Sequence, residues 1–224
     1  MEVKVLGEYG YEFARYGFSL SFKERSIKPT DWMLCPKNCH KECSDCDIFE
    51  RQQHYDKVLI KNANREGGHN KFLEHISVWL DVEAPLELWK QIDTYRVGPS
   101  KQSESTMHTL DKRDMAVEDF DLDEKELEKE CILDPTDIGD KNPSLKHILG
   151  LYLQYLNFMP SRIKSKLLPQ GYKQRREIVL NYKVLRHIIN QRKGHKLPEW
   201  QFFIKSIYEQ IERPELLPEY PYER

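Results

Sequence analysis

The chain has no long hydrophobic run. Nowhere in its 224 residues is there a stretch approaching the roughly 18–20 apolar residues that a bilayer-spanning helix needs, so no membrane partner is expected. Charge of one sign is not in excess either. Thirty-five basic residues face 37 acidic ones, a formal net charge of -2, which gives no overall attraction to a nucleic-acid polymer or an acidic membrane. The opening MEVKVLGEYG carries charge early and lacks the apolar core of a signal peptide, so a cytoplasmic location is expected. Five cysteines in that compartment do not make a disulfide framework. Internal repeats are absent as well.

What is present suits one substantial domain over 1–224 with two polar insertions, a Cys-rich loop at 33–47 and an acidic loop at 109–142. The acidic loop reads as solvated chain with one short helix, the alternative being an acidic binding tail. In the Cys-rich loop, Cys35, Cys39, Cys43 and Cys46 fall within twelve residues. Four thiolates so close can reach a tetrahedral zinc ion, which would staple a segment too polar to fold by burial; a set of free thiols is the other reading. Their last three also have an iron–sulfur spacing, but a chain of this length without a barrel pattern makes that a coincidence. Cys131 stands apart as a lone thiol.

Local patterns set out the elements. VKVL at 3–6 predicts a strand, and Gly10 to Gly17 a short helix between glycines. Residues 48–64 have helical spacing, with Ile48, Tyr55 and Leu59 on one side, and Gly67-Gly68 closes that element. The alternation over 75–82 predicts a strand. Residues 84–93 read as a helix with Pro85 in its first turn, and 96–106 as a loop. Helices follow at 143–158, 178–193 and 199–211, before a Pro-rich end along the surface.

Two clusters carry the chemistry. His69, Glu74 and His75 surround a turn that enters the strand; a histidine there can donate to a ligand carbonyl or ring nitrogen, or can satisfy backbone groups. The spacing does not match the i, i+4 helical zinc pattern. On 178–193, at about 100° per residue, Asn181, Leu185, Ile188 and Arg192 share one stripe. Lys183 and His187 form an i, i+4 pair beside it. Such a helix either binds phosphates and a planar ring or is a cationic surface helix.

The residues now permit a family comparison. The flavin-dependent thymidylate synthases have a His-x-(Ser/Thr)-Pro-(Phe/Leu)-Glu-His turn, a strand, then Ala-Pro and a helix ending in Gln-Trp-x-Arg-His-Arg. This chain resembles them with His69-Asn70-Lys71-Phe72-Leu73-Glu74-His75, Ala84-Pro85, Gln91 and Arg96, without a gap. Downstream, Leu168-Pro169, Asn181-Tyr182-Lys183-Val184-Leu185 and Arg192 are similar to the family's Leu-Pro, Asn-x-Arg-Ser-Leu and final Arg. The likeness covers roughly 1–25, 55–108 and 145–211. It departs where Arg-His-Arg becomes Thr94-Tyr95-Arg96, where Met107 replaces an Arg, and where Lys183 keeps a charge without the bidentate fork.

The resemblance implies an α/β (α+β) fold, an antiparallel sheet surrounded by helices, and a homotetramer whose sites combine several subunits. It implies FAD as cofactor, with methylenetetrahydrofolate and NADPH as co-substrates and a pyrimidine nucleotide as ligand. Carried over residue by residue, His69, Lys71, Gln91, Arg96, Asn181, Lys183 and His187 would hold the cofactor. Arg96, Ser103, Glu104, Ser105 and Arg192 would hold the nucleotide, with Ser105 and Arg192 closest to the chemistry. The expected activity is methylation of dUMP or a related nucleotide. The alternatives are an inactive nucleotide-binding or regulatory protein that keeps the fold, and an assembly protein in which the old site is only core.

Overall fold

The structure is a computed structural model that describes residues 1–22, 47–65, 68–130 and 142–222. The Cys-rich stretch with Cys35, Cys39, Cys43 and Cys46, and also Cys131, lie outside the described residues.

The main elements are β1 (Glu2–Tyr9), α1 (Tyr11–Ser19), α2 (Asp47–Ala63), β2 (Ser77–Pro85), α3 (Leu86–Ile92), β3 (Ser100–Ser103), α4 (Leu145–Asn157), β4 (Lys173–Asn181), α5 (Tyr182–Arg192) and α6 (Pro198–Gln210). The strands form an antiparallel sheet in the order β1-β2-β4-β3. The expected α/β class, helices with an antiparallel sheet, is what forms. Among the described residues no helix is long and apolar enough to cross a membrane.

The chain divides into two compact units, each assembled from separated segments. The first comprises 1–2, 82–95 and 102–177; the second comprises 3–81, 96–101 and 178–224.

In the first unit, Leu149, Leu153 and Leu156 on one face of α4 pack with Leu110, Met115 and Phe120. These three come from the acidic stretch expected to be solvated. Val117 and Leu122 of the same stretch pack against the cluster. Asn157 fixes the stretch by accepting from the Met115 amide and donating to its carbonyl, both at 3.0 Å. That expectation is therefore corrected for 110–120. The short helix within the stretch does form, at Glu124–Leu127, closed by a capping box between Asp123 and Glu126. Trp89 of α3 is fully buried, and its indole donates to the Gln174 carbonyl at 2.8 Å. Arg176 lies over that ring at 4.5 Å and pairs with Asp93 at 3.1 Å.

Helix α3 starts later than expected. Ala84 and Pro85 end β2, and Pro85 is the N-cap with ψ at 150°, an extended angle.

In the second unit, α1 is joined to α2 by Asp56, which accepts from the Tyr11 hydroxyl at 2.8 Å and from Arg15 at 3.2 Å. Burial first, then Asp56, pushes the Tyr11 hydroxyl's pKa up. Gly10 begins α1 at φ 98°, and a Cβ there would stand 2.3 Å from the His75 carbonyl oxygen. Only glycine allows that approach. Buried Arg186 of α5 donates to the Leu216 carbonyl and to Asn64, so burial, which lowers its pKa, is matched by acceptors.

The single helix expected over 178–193 is a strand followed by a helix. Gln174, Ile178 and Leu180 are buried while Arg175 and Glu177 are exposed, the period of two that a strand imposes. A window opening at Ile178 sees only the end of that alternation and merges it with the true helix. The turn comes at Asn181, whose side chain accepts from the Val184 amide at 3.0 Å as an N-cap. Asn181 thus caps α5 and does not belong to its stripe. The loop expected at 96–106 contains β3, whose polar SKQS has no apolar alternation to reveal it.

Candidate active site

The turn at 68–75 forms because Phe72 and Leu73 bury their side chains while the backbone folds back, Lys71 N donating to the Gly68 carbonyl and Leu73 N to that of Asn70. Burying those two leaves His69, Lys71, Glu74 and His75 exposed. Lys71–His75 is a 3₁₀ turn, so the strand expected from residue 75 begins at Ser77.

His69, Lys71 and His75 line one side of a cleft of about 740 Å³ in the second unit. Its other walls are Gly17, Phe18 and Phe22 from α1 and the turn after it, and Lys61 and Arg65 from α2 and its end. Phe18 meets Phe72 edge to face at 5.6 Å. Among the described residues the lining holds cations, imidazoles and aromatic rings and no carboxylate. A cleft of that composition favours a ligand that is anionic at one end and flat at the other.

The two clusters picked out of the sequence meet within this unit, although an arrangement across subunits had been expected to account for their separation. Glu74 accepts from Lys183 at 2.5 Å, and the Tyr182 amide donates to the Ile76 carbonyl at 3.0 Å. The Lys183 hydrogen bond is the chief cause holding the Glu74 carboxyl below the usual range. Arg96 is exposed on a loop whose Gly98, at φ 93°, would bring a Cβ within 2.5 Å of Val184. The loop therefore lies against the start of α5.

Further along α5, His187 is exposed and Arg192 is half-buried, its guanidinium 4.9 Å over the Trp200 ring. Neither lines the cleft.

The remaining expected residues belong to the first unit. Gln91 is half-buried on α3, and Ser103 is exposed at the end of β3. Glu104 is fixed on three sides: its amide donates to the Arg175 carbonyl at 3.1 Å, its carboxylate accepts from the Arg175 amide at 3.2 Å, and its carbonyl accepts from Gln174 at 3.1 Å. Ser105 precedes the single-turn helix Thr106–Thr109 and is exposed, with no cap hydrogen bond from its side chain. The neighbouring Glu104 is thus tied to β4, while Ser105 itself is exposed.

Reasoning from the sequence missed Lys61, Arg65, Phe18 and Phe22. Lys61 and Arg65 stand four apart at the end of α2, a spacing that places two cations on one face. Phe18 and Phe22 have the same spacing after Gly17. Both signals were readable.

Two other concavities hold different chemistry. One of about 800 Å³ lies between α6 and the tail; Phe202, Tyr208 and Tyr220 line it, with Lys205 and Glu209 supplying one charge of each sign. A smaller one of about 210 Å³ in the first unit mixes Glu83, Glu104, Asp119, Arg113 and Lys173. Among the described residues no group of three or more His, Cys, Asp or Glu side chains is placed to hold a metal ion.

No curated protein sequence matches the chain. Solved structures do match in fold. The flavin-dependent thymidylate synthase ThyX from Helicobacter pylori, solved with FAD and dUMP, is 16% identical with a TM-score of 0.67, over 98% of this chain and 99% of that one. A UMP/dUMP methylase, PolB from Streptomyces cacaoi, solved with 5-Br dUMP, is 15% identical with a TM-score of 0.53, over 97% and 91%. Those identities establish the fold alone. The family assignment comes from the sequence profile described as thymidylate synthase complementing protein, which matches residues 30–215. That span is most of the chain and contains both clusters, so the resemblance first seen in His69–His75 and Asn181–Leu185 is borne out: the protein belongs to the thymidylate synthase complementing protein family, the flavin-dependent thymidylate synthases.

Proposed function

We propose that the protein is an enzyme that methylates dUMP or a related pyrimidine nucleotide, using FAD, methylenetetrahydrofolate and NADPH. The observation that carries this reading is the cleft at His69, where Lys61, Arg65, His69, Lys71 and His75 converge around aromatic side chains, with no carboxylate among the described lining residues. Those residues fit a phosphate-bearing flavin: the cations take the anionic part, and Phe18, Phe22 and Phe72 pack against flat rings. Reduced FAD, when bound, supplies the hydride that completes methylation. The chain's own part is to bind, orient and polarise.

In this reading His69 and Lys71 hold cofactor directly. Glu74 orients Lys183, and Asn181 sets the start of α5. Gln91, Arg96 and His187 complete the cofactor set, while Ser103, Glu104, Ser105 and Arg192 take the nucleotide. Charge that develops on a pyrimidine carbonyl oxygen needs fixed donors, the role assigned to Ser105 and Arg192. We further propose a cytoplasmic homotetramer made of a single domain over 1–224, with insertions at 33–47 and 109–142, and one structural zinc on Cys35, Cys39, Cys43 and Cys46. About one zinc per chain by metal analysis, lost in a Cys39→Ser/Cys43→Ser variant, is expected for the last.

The test is an ultraviolet–visible spectrum of the purified protein. A flavin band near about 450 nm that bleaches with NADPH, followed by dUMP-dependent turnover, is the expected result. Protein that stays colourless after incubation with FAD overturns it.

One observation favours a second reading, a nucleotide-binding or regulatory protein without turnover. Lys183, at the place of a family Arg, is engaged by Glu74, and Thr94 and Tyr95 stand where the family has an arginine and a histidine. A lost charge-assisted contact costs roughly 1.5–3 kcal/mol. This reading gives nucleotide-dependent thermal stabilisation with no product.

A further inference from the structure

Helix α6 has two faces. Trp200, Phe203, Ile204 and Ile207 are buried in the second unit. Gln201, Phe202, Lys205, Tyr208 and Glu209 recur at helical spacing on the other side, and none of them is buried. The tail returns along this second face. It is tied down on the way: Leu216 and Leu217 are buried, Arg186 donates to the Leu216 carbonyl, and the Tyr208 hydroxyl donates to the Pro218 carbonyl at 2.6 Å. Tyr220 then meets Tyr208 with ring centroids 5.0 Å apart and Tyr222 with centroids 5.6 Å apart, both edge to face. The rings do not close over the helix. They stand around the cavity of about 800 Å³, a size within the roughly 300–1,000 Å³ of small-molecule sites.

We propose that this cavity is a second binding site, for a flat, uncharged heteroaromatic compound of the nucleobase or nucleoside class. It shares no lining residue with the His69 cleft, and its assignment does not depend on that cleft.

Charge narrows the ligand first. Among the described residues the lining holds one cation, Lys205, and one carboxylate, Glu209, 3.8 Å apart and one turn of α6 from each other. A phosphate brought to Lys205 meets Glu209, and an ammonium group brought to Glu209 meets Lys205. Neither sign of ligand charge finds an unopposed partner.

Shape narrows it next. Phe202 and Tyr208 from the helix, with Tyr220 and Tyr222 from the tail, put aromatic rings on both sides of the cavity. A flat ring gains offset or edge-to-face contacts with such walls, whereas an aliphatic ligand of equal volume gains burial alone. Gln201 adds a donor and an acceptor on the helix side, the pairing that a nucleobase edge offers in return. Because Leu216, Leu217 and Pro218 hold the tail, its rings lose little freedom when a ligand enters.

The experiment is isothermal titration of the full chain with adenosine, guanosine and nicotinamide, and with the monophosphates of the two nucleosides. At least one uncharged compound is expected to bind, and a nucleoside that binds should do so more tightly than its monophosphate. A Phe202→Ala/Tyr220→Ala variant, shown to be folded by a circular-dichroism melt, should weaken that binding about tenfold or more, while Lys61→Ala/Arg65→Ala leaves it unchanged. Glu209→Gln tests the same cavity without touching its walls. It should leave the uncharged ligand within about twofold and tighten a monophosphate by about twofold or more, because Lys205 loses its carboxylate. Binding of none of the three compounds, full affinity in the folded aromatic variant, or lost affinity in the Lys61/Arg65 variant overturns the proposal. A proline-rich peptide that binds in their place, and no longer binds the aromatic variant, assigns the cavity to a protein partner and overturns it as well.

Discussion

Two of the concavities formed by the described residues carry several charged side chains each, and they differ in whether their cations already have carboxylate partners. In the first unit, the pocket of about 210 Å³ has both of its cations paired: Arg113 grips Asp119 through two hydrogen bonds, at 2.5 and 2.7 Å, and Lys173 stands 3.5 Å from Glu83. Burial opposes the Asp119 charge, but Arg113 and the Ala116 amide outweigh it and hold that carboxyl below its usual range. In the second unit, the cleft of about 740 Å³ gathers cations and imidazoles, and among the described residues no carboxylate lines it. In the first pocket both cations already have a carboxylate partner. Among the described residues, the cations lining the second cleft have no carboxylate beside them on its walls.

The largest effect expected from that contrast follows removal of Lys61 and Arg65 together. At roughly 1.5–3 kcal/mol for each charge-assisted contact, a Lys61→Ala/Arg65→Ala variant should bind FAD about 100-fold more weakly or worse, as read by fluorescence titration. Its melting temperature should stay near that of the wild type; unchanged affinity would remove the cleft from the binding reading.

Next in size is Gly10→Ala. The added methyl meets the His75 carbonyl oxygen at 2.3 Å on a backbone at φ 98°, so unfolding free energy should fall by roughly 2–3 kcal/mol in a urea titration. FAD binding should weaken with it, because the His75 end of the cleft must shift.

Arg113→Ala sharpens the comparison from the other side. It leaves Asp119 without its main partner and should cost roughly 1 kcal/mol of stability, while FAD titrates as in the wild type. A loss of FAD affinity comparable to that of the Lys61/Arg65 variant would erase the distinction between the two concavities.

The smallest effect belongs to the Glu74–Lys183 pair. Its carboxyl pKa is depressed in the folded state, so its stabilisation is full above the usual carboxylate range and disappears as pH falls through the lowered value. Both side chains are 41% exposed, which limits the contribution to a few tenths of a kcal/mol. The wild-type advantage over Glu74→Gln should be measurable at pH 7 and should shrink as pH falls below the usual carboxylate range.

The sequence revealed more of the fold than of the site. The helices at Tyr11–Ser19, Asp47–Ala63 and Pro198–Gln210 were legible because each has one apolar stripe bounded by glycine or proline. Strand β4 was not, because its buried Gln174 and half-buried Arg176 conceal the alternation until Ile178. Strand β3 has no apolar residue to alternate. For the site, the motif spacing identified His69, Lys71 and Lys183 as candidates, but their surroundings depend on distant chain. Lys61 and Arg65 join them only because Asp56 holds α1 to α2, and Glu74 meets Lys183 only because a strand turns into a helix at Asn181. Those are tertiary facts, written in no local pattern.

The hydrogen bond from the Tyr182 amide to the Ile76 carbonyl has a wider meaning. It joins the His69 turn to α5 through main-chain atoms, so the geometry there is independent of which side chains decorate it. The groups that meet a ligand can be exchanged without rebuilding the scaffold beneath. A scaffold of that kind lets ligand preference drift from one nucleotide to another by point changes alone.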